Sequence, residues 1–168
     1  MVNVLCARGG INSVCAQRMP KPGKNLNVGL CRPSSTLSGV ENVTVLFDPS
    51  VMVVTLRKLI GESSRVVGCV AWMTHPAILS ALEGVDSTVL MTKHKRNRWK
   101  RRIKVKYLGN RRSLMHHKFL VGFTRGAPWV AFGSFNLTKA ALFNLENLVI
   151  VRDRQLVSVF YAEFERLL

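Results

Sequence analysis

The sequence predicts an α/β fold, and three observations carry that reading. From residue 43 to residue 92, strand-length apolar runs alternate with helix-length stretches. Both helical stretches in that span carry a proline in the first turn, where that residue is well suited. The run 65–72 (RVVGCVAW) is nearly all apolar, as a strand covered on both faces must be.

The elements follow in order. Residues 43–47 read as a strand. Asp48 can cap the free N–H groups of a helix that starts at Pro49, runs to about Ile60 and stops at Gly61. After the strand at 65–72, Thr74 caps a short helix through Leu82, with Pro76 in its first turn and Gly84 past its end. Residues 87–92 form a further strand, and 103–108 alternate as a short one. Residues 115–123 (MHHKFLVGF) and 129–132 make a hairpin around the turn at Gly126. Residues 138–144 give a short helical turn and 146–151 (ENLVIV) another strand. Asp153 caps a final helix to Leu168, with Leu156, Val159, Phe160, Phe164 and Leu167 on one stripe.

The first forty residues differ from the rest. They contain no acidic residue, are rich in Gly, Pro, Ser and Asn, and show no helical or strand period. Residues 1–42 therefore read as a basic, loosely ordered arm and 43–168 as the folded domain. The arm's composition also fits an organelle transit peptide, but its glycines and the 20–23 stretch interrupt an amphipathic helix.

Charge narrows the function. Twenty-five Lys and Arg against nine Asp and Glu give a net +16, which calls for an anionic partner: nucleic acid first, an anionic membrane second. No apolar run reaches the roughly 18 residues of a spanning helix, so no transmembrane segment is expected. Cys6, Cys15, Cys31 and Cys69 lack metal-knuckle spacing and no secretory core precedes them. They read as free thiols in a reducing, cytoplasmic compartment rather than as a zinc site or disulfides. The segment 93–112 holds eleven Lys or Arg and no acid. Such uncompensated charge marks an anion-binding element, expected to track a phosphate backbone through Lys93, Lys95, Arg96, Arg98, Lys100, Arg101, Arg102, Lys104, Arg111 and Arg112. Trp99, with Tyr107, is placed to stack on bases or to join the core.

On a strand, residues i and i+2 share a face, so His116 and Lys118 point one way and Met115, His117, Phe119 and Val121 the other. His117 thus reads as a core or rim histidine. A His beside a Lys makes an anion site in which lysine holds phosphate oxygens and imidazole serves as nucleophile and proton carrier. Ser134 and Asn136 can hydrogen-bond phosphate oxygens, Gly133 permits close backbone approach, and Glu146 can hold an imidazole in one tautomer.

The runs MHHKFLVGF, GSFNLTK and NLENLVIV together resemble the phospholipase D superfamily, above all its small single-motif nucleases. His116, Lys118, Gly133, Ser134, Asn136, Glu146 and Asn147 match the signature H-x-K-x(4)-D, G-S-x-N and Glu-Asn in order and spacing. The resemblance covers about residues 43–168. One position departs: the motif's Asp falls at Phe123. The resemblance implies a mixed β-sheet flanked by helices on both faces. It also implies a metal-independent phosphodiesterase, without cofactor, that works through a phosphohistidine on His116. Lys118, Ser134 and Asn136 would hold the non-bridging oxygens. Since one chain carries one motif, a homodimer would supply the second histidine to a composite active site. Charge favours a DNA or RNA endonuclease; a catalytically inactive nucleic-acid-binding relative and a phospholipase acting on an anionic lipid stay open.

Overall fold

In a computed structural model, the structure describes residues 42–97, 101–110 and 112–168, together with the backbone at 3–5 and 34–36. Among these, nine strands form one sheet in the order β1 (Asn3–Leu5), β2 (Ser34–Thr36), β3 (Val43–Leu46), β9 (Leu148–Val151), β8 (Trp129–Gly133), β7 (Lys118–Phe123), β4 (Arg65–Val70), β5 (Asp86–Thr92), β6 (Lys104–Leu108). Strands β4, β5 and β6 are parallel neighbours. Every other pair is antiparallel, so the sheet is mixed. The remainder of the arm expected at 1–42, with Cys6, Cys15 and Cys31, lies outside the described residues, as do Arg98, Trp99, Lys100 and Arg111.

Helices α1 (Pro49–Gly61) and α2 (Pro76–Glu83) bury Met52, Leu56, Ile60, Ile78 and Leu82 against Val66, Val70, Leu120 and Trp129 on one face of the sheet. Helix α3 (Arg154–Leu167) packs Val157 and Phe164 against Val67, Cys69, Phe119, Val121 and Val130 on the other. Strand β4 is therefore sandwiched, which is why its sequence does not alternate. Gly122 leaves room for the buried Trp129 indole: a Cβ there would lie 2.1 Å from the ring. The indole N–H donates to Ser63 Oγ at 3.1 Å, so the largest core side chain has no unmet donor.

Asp48 caps α1 as expected, its carboxylate accepting from Ser50 N at 2.8 Å. Asp153 does the same for α3 through Leu156 N at 2.7 Å. Two expectations fail. The residue at the N-cap of α2 is His75 rather than Thr74, and it makes no side-chain cap bond. Pro76 fixes the start one residue later, and the Thr74 and His75 amides are taken by Leu137 O at 2.8 and 2.9 Å. On α3, Val159 is exposed and Val157 takes the buried place. Apolar residues at 156, 157, 159 and 160 leave the helix phase ambiguous, and the sheet decides it. Among the described residues no helix is long and apolar enough to cross a membrane.

Candidate active site

The sheet register brings the chemistry-bearing residues to one end of the sheet. Val70 at the end of β4 pairs with Lys118 at the start of β7. Gly133 at the end of β8 pairs with Leu148 at the start of β9. The C-terminal ends of the parallel strands, where open α/β sheets bind ligands, thus open beside His116, Lys118, Ser134 and Glu146.

His116 stands just before β7 and is exposed. Its ring meets Trp72 edge-on, with centroids 5.4 Å apart. Lys118 Nζ lies 3.2 and 3.3 Å from the two ring nitrogens of His116 and 3.1 Å from its carbonyl. Partial burial, then the Lys118 and His117 charges, push the His116 pKa below the ordinary histidine value. The neutral imidazole, which keeps a nucleophilic lone pair, is therefore the favoured form. Burial also lowers the Lys118 pKa, and the Glu146 carboxylate opposes that shift.

Ser134 hangs between two residues of the following segment. Its backbone N–H donates to Asn147 Oδ1 at 2.8 Å, its Oγ accepts from Asn147 N at 3.0 Å, and its hydroxyl donates to Glu146. Gly133 lets these chains close: a Cβ would sit 2.3 Å from Asn147 O. Glu146 Oε1 accepts from Asn144 Nδ2 at 3.1 Å. Within the chain, Glu146 holds Ser134 and Asn144, and its charge reaches Lys118 at the start of β7. Asn136 borders the site with its Oδ1 buried and without a partner.

The residues beyond the motif fall into two groups. His117 points to the opposite face, half exposed, with Nε2 3.3 Å from Glu163 of α3, a satisfied rim histidine. Phe123 sits at the far end of β7 with its ring against Tyr161, centroids 5.3 Å apart, and its carbonyl bonded by Ser64. Five residues of strand separate it from Lys118, about 17 Å. The motif's acidic position is thus a packing position in this fold.

The basic block is less free than its sequence suggests. Arg101 pairs with Glu83 at 2.7 Å and Lys104 with Asp86 at 2.9 Å, which corrects the picture of wholly uncompensated charge. Parallel pairing of β5 with β6 brings those acids, distant in sequence, alongside. Arg102 gives its backbone N–H to Glu83, while Lys93, Lys95, Arg96 and Arg112 remain exposed. Tyr107 donates its hydroxyl to Asn97 O at 2.9 Å, which anchors the side chain while its ring stays exposed.

Two features escaped the sequence pattern. Asn97, inside the basic block, is fully buried. Its amide donates to Ala71 O and Thr92 O at 2.8 and 2.9 Å and accepts from Met73 N at 3.3 Å. It latches the 3-10 turn Lys95–Asn97 onto the ends of β4 and β5, next to Trp72. The second is a cleft of about 360 Å³ bordered by Trp72, Thr74, Arg96, Asn136, Lys139 and Asn144. An isolated asparagine between lysines and arginines carries no linear signal, and the cleft joins three separate segments.

Residues 56–168 match the family model described as cardiolipin synthase, PLD-like domain. The fold is similar to that of a phospholipase D family member, Nuc from Salmonella typhimurium, at 23% identity and a TM-score of 0.61, over 74% of this chain and 91% of that one. It is also similar to NucT from Helicobacter pylori, at 16% identity and a TM-score of 0.62, over 74% and 93%. TrmBL2, an archaeal chromatin protein with a DNA-binding mode of its own, aligns at 19% identity and a TM-score of 0.52, over 76% and 52%. No curated protein sequence matches. The family model spans every residue of the cluster from Trp72 to Asn147, and with the mixed sheet and its two helical faces it shows that this chain belongs to the phospholipase D superfamily.

Proposed function

We propose that the protein is a phosphodiesterase that cleaves nucleic acid through a phosphohistidine intermediate. The observation that carries the reading is the His116–Lys118 pair: a nucleophile favoured in its neutral form, with an ammonium within 3.3 Å of its ring. A ring nitrogen of His116 bonds to phosphorus while the bond to the leaving oxygen breaks. A second histidine gives that oxygen a proton. It then takes a proton from water as the water oxygen bonds to phosphorus and the P–N bond breaks. Lys118, Ser134 and Asn136 hold the non-bridging oxygens, stabilising charge that grows in the transition state.

Among the described residues no second histidine pairs with His116: His75 stands at the N-cap position of α2, His94 accepts from Arg96 N, and His117 pairs with Glu163. A two-fold partner would bring its own His116 to the same phosphorus. Exposed apolar surface beside the site supports that assembly: Phe143 and Leu145 are each 88% exposed, immediately before Glu146, and Leu114 is exposed just before His116. The net +16 and the exposed cations of the basic block favour a polyanionic substrate.

The test is digestion of labelled single- and double-stranded DNA and RNA in EDTA by wild type, by His116→Ala and by their mixed dimers. Cleavage by wild type, none by His116→Ala, and activity in mixed dimers well below that of simple dilution are expected. Binding without cleavage, or full activity in a monodisperse monomer, would overturn the corresponding part of the reading.

A further inference from the structure

The cleft beside His116 is larger than the acceptor site for one phosphate requires. Its Trp72 wall is the residue whose ring meets His116. Opposite stand Lys139 and Asn144, which flank the 3-10 turn Ala140–Phe143. Arg96 enters from the basic block, held there by the buried Asn97 one residue on. Two cations from unrelated segments thus border one cleft, and neither has a salt-bridge partner among the described residues. Thr74, Thr138 and Asn144 add hydroxyl and amide groups, and the Asn136 Oδ1 is a buried acceptor without a donor. A buried polar atom left unpaired is costly, and a ligand that brings a donor there relieves the cost.

We propose that this cleft is a nucleotide subsite for the strand next to the scissile bond, in which Arg96 and Lys139 hold the neighbouring phosphate. The inference rests on the reading of His116 and Lys118 as a phosphodiester site, and it adds a second phosphate in the cleft that shares the Trp72 wall. The lining favours a nucleotide over a lipid tail. Two cations with several amides and hydroxyls suit a phosphate, a sugar and a base edge, and the Trp72 indole with Ala140 and Ala141 gives a base an apolar surface.

The decisive measurement is calorimetric titration with a nucleoside 3′,5′-bisphosphate and with the corresponding 5′-monophosphate. The bisphosphate should bind at least tenfold more tightly to wild type. In Arg96→Gln/Lys139→Gln that ratio should fall toward one, with an unchanged melting temperature. The charge-matched control Arg57→Gln/Lys58→Gln, on α1, should keep it. Equal affinities in wild type, or equal losses in both double variants, would overturn the subsite in favour of diffuse attraction. Dependence on Arg96 and Lys139 for anionic vesicles but not for the bisphosphate would also overturn it, in favour of a lipid headgroup. Hydrolysis of bis(p-nitrophenyl) phosphate, which carries one phosphate, separates the two readings. Its absence in wild type would remove the phosphodiesterase reading, while the affinity ratio still decides the subsite.

Discussion

At its start β7 carries Lys118, with His116 two residues earlier, beside a network of Ser134, Glu146, Asn144 and Asn147. At its end it carries Phe123, packed on Tyr161 with its carbonyl held by Ser64. The first end is polar, open to solvent and built from three strand ends. The second is apolar and tied to the helix α3 face. Both ends belong to one sequence motif, yet they share no contact. A motif can therefore join a chemical function and a structural one simply because a strand is the shortest path between them. Phe123, at the motif's acidic position, is a packing residue about 17 Å along the strand from Lys118.

The contrast is broken most directly at His116. His116→Ala should lower cleavage by about 10³-fold or more. Thermal melting of the variant should match wild type, because the ring is exposed. A comparable loss from His117→Ala would reverse the assignment of faces.

Ser134→Ala should reduce kcat by about 10²-fold, the scale of one lost oxyanion contact. It also breaks the link from Glu146 to Asn147, so single-turnover kinetics should show the loss in the chemical step rather than in substrate binding.

A third test addresses the latch that ties the basic block to the site end. Asn97→Ala removes three hydrogen bonds of the interior, to Ala71 O, Thr92 O and Met73 N. It should cost roughly 3 kcal/mol, seen as a lower denaturation midpoint with the same slope. The salt dependence of nucleic-acid affinity should change with it, because the turn Lys95–Asn97 loses its anchor.

The fourth concerns pH. His116 gives up its proton more readily than a free histidine, chiefly through burial and then through the Lys118 charge. The acid limb of kcat/KM should therefore fall below the ordinary histidine value of about 6.5, with activity sustained through neutrality. In an NMR titration Lys118→Gln should move the His116 midpoint up, since one cation no longer opposes protonation. An unmoved midpoint would detach the pair.

The smallest effect belongs to the other end of the strand. Phe123 lies opposite Arg65 in the β4–β7 register. Phe123→Asp exchanges a ring contact with Tyr161 for a half-exposed carboxylate beside that arginine. Stability should fall by about 1–2 kcal/mol, less than for a fully buried ring. The rate per folded molecule should stay within about threefold of wild type. A rate change as large as that of Ser134→Ala would show that the two ends communicate.

The amino-acid sequence by itself determined the elements and their chemistry. Asp48 and Asp153 cap because their carboxylates meet free amides within the same turn, a local interaction. The opposite faces of His116 and His117 follow from the two-residue period of an extended chain. Side-chain partners across the fold are a different matter, because they depend on sheet order and register. Only the tertiary structure decided that Val157 rather than Val159 faces the core, and that Glu83 and Asp86 neutralise part of the basic block. It also brought Glu146 onto Ser134 and sealed Asn97 inside a run of cations. A sequence lists groups along one coordinate; which charges meet, and which polar atoms lose water, is set when strands distant in that coordinate pair.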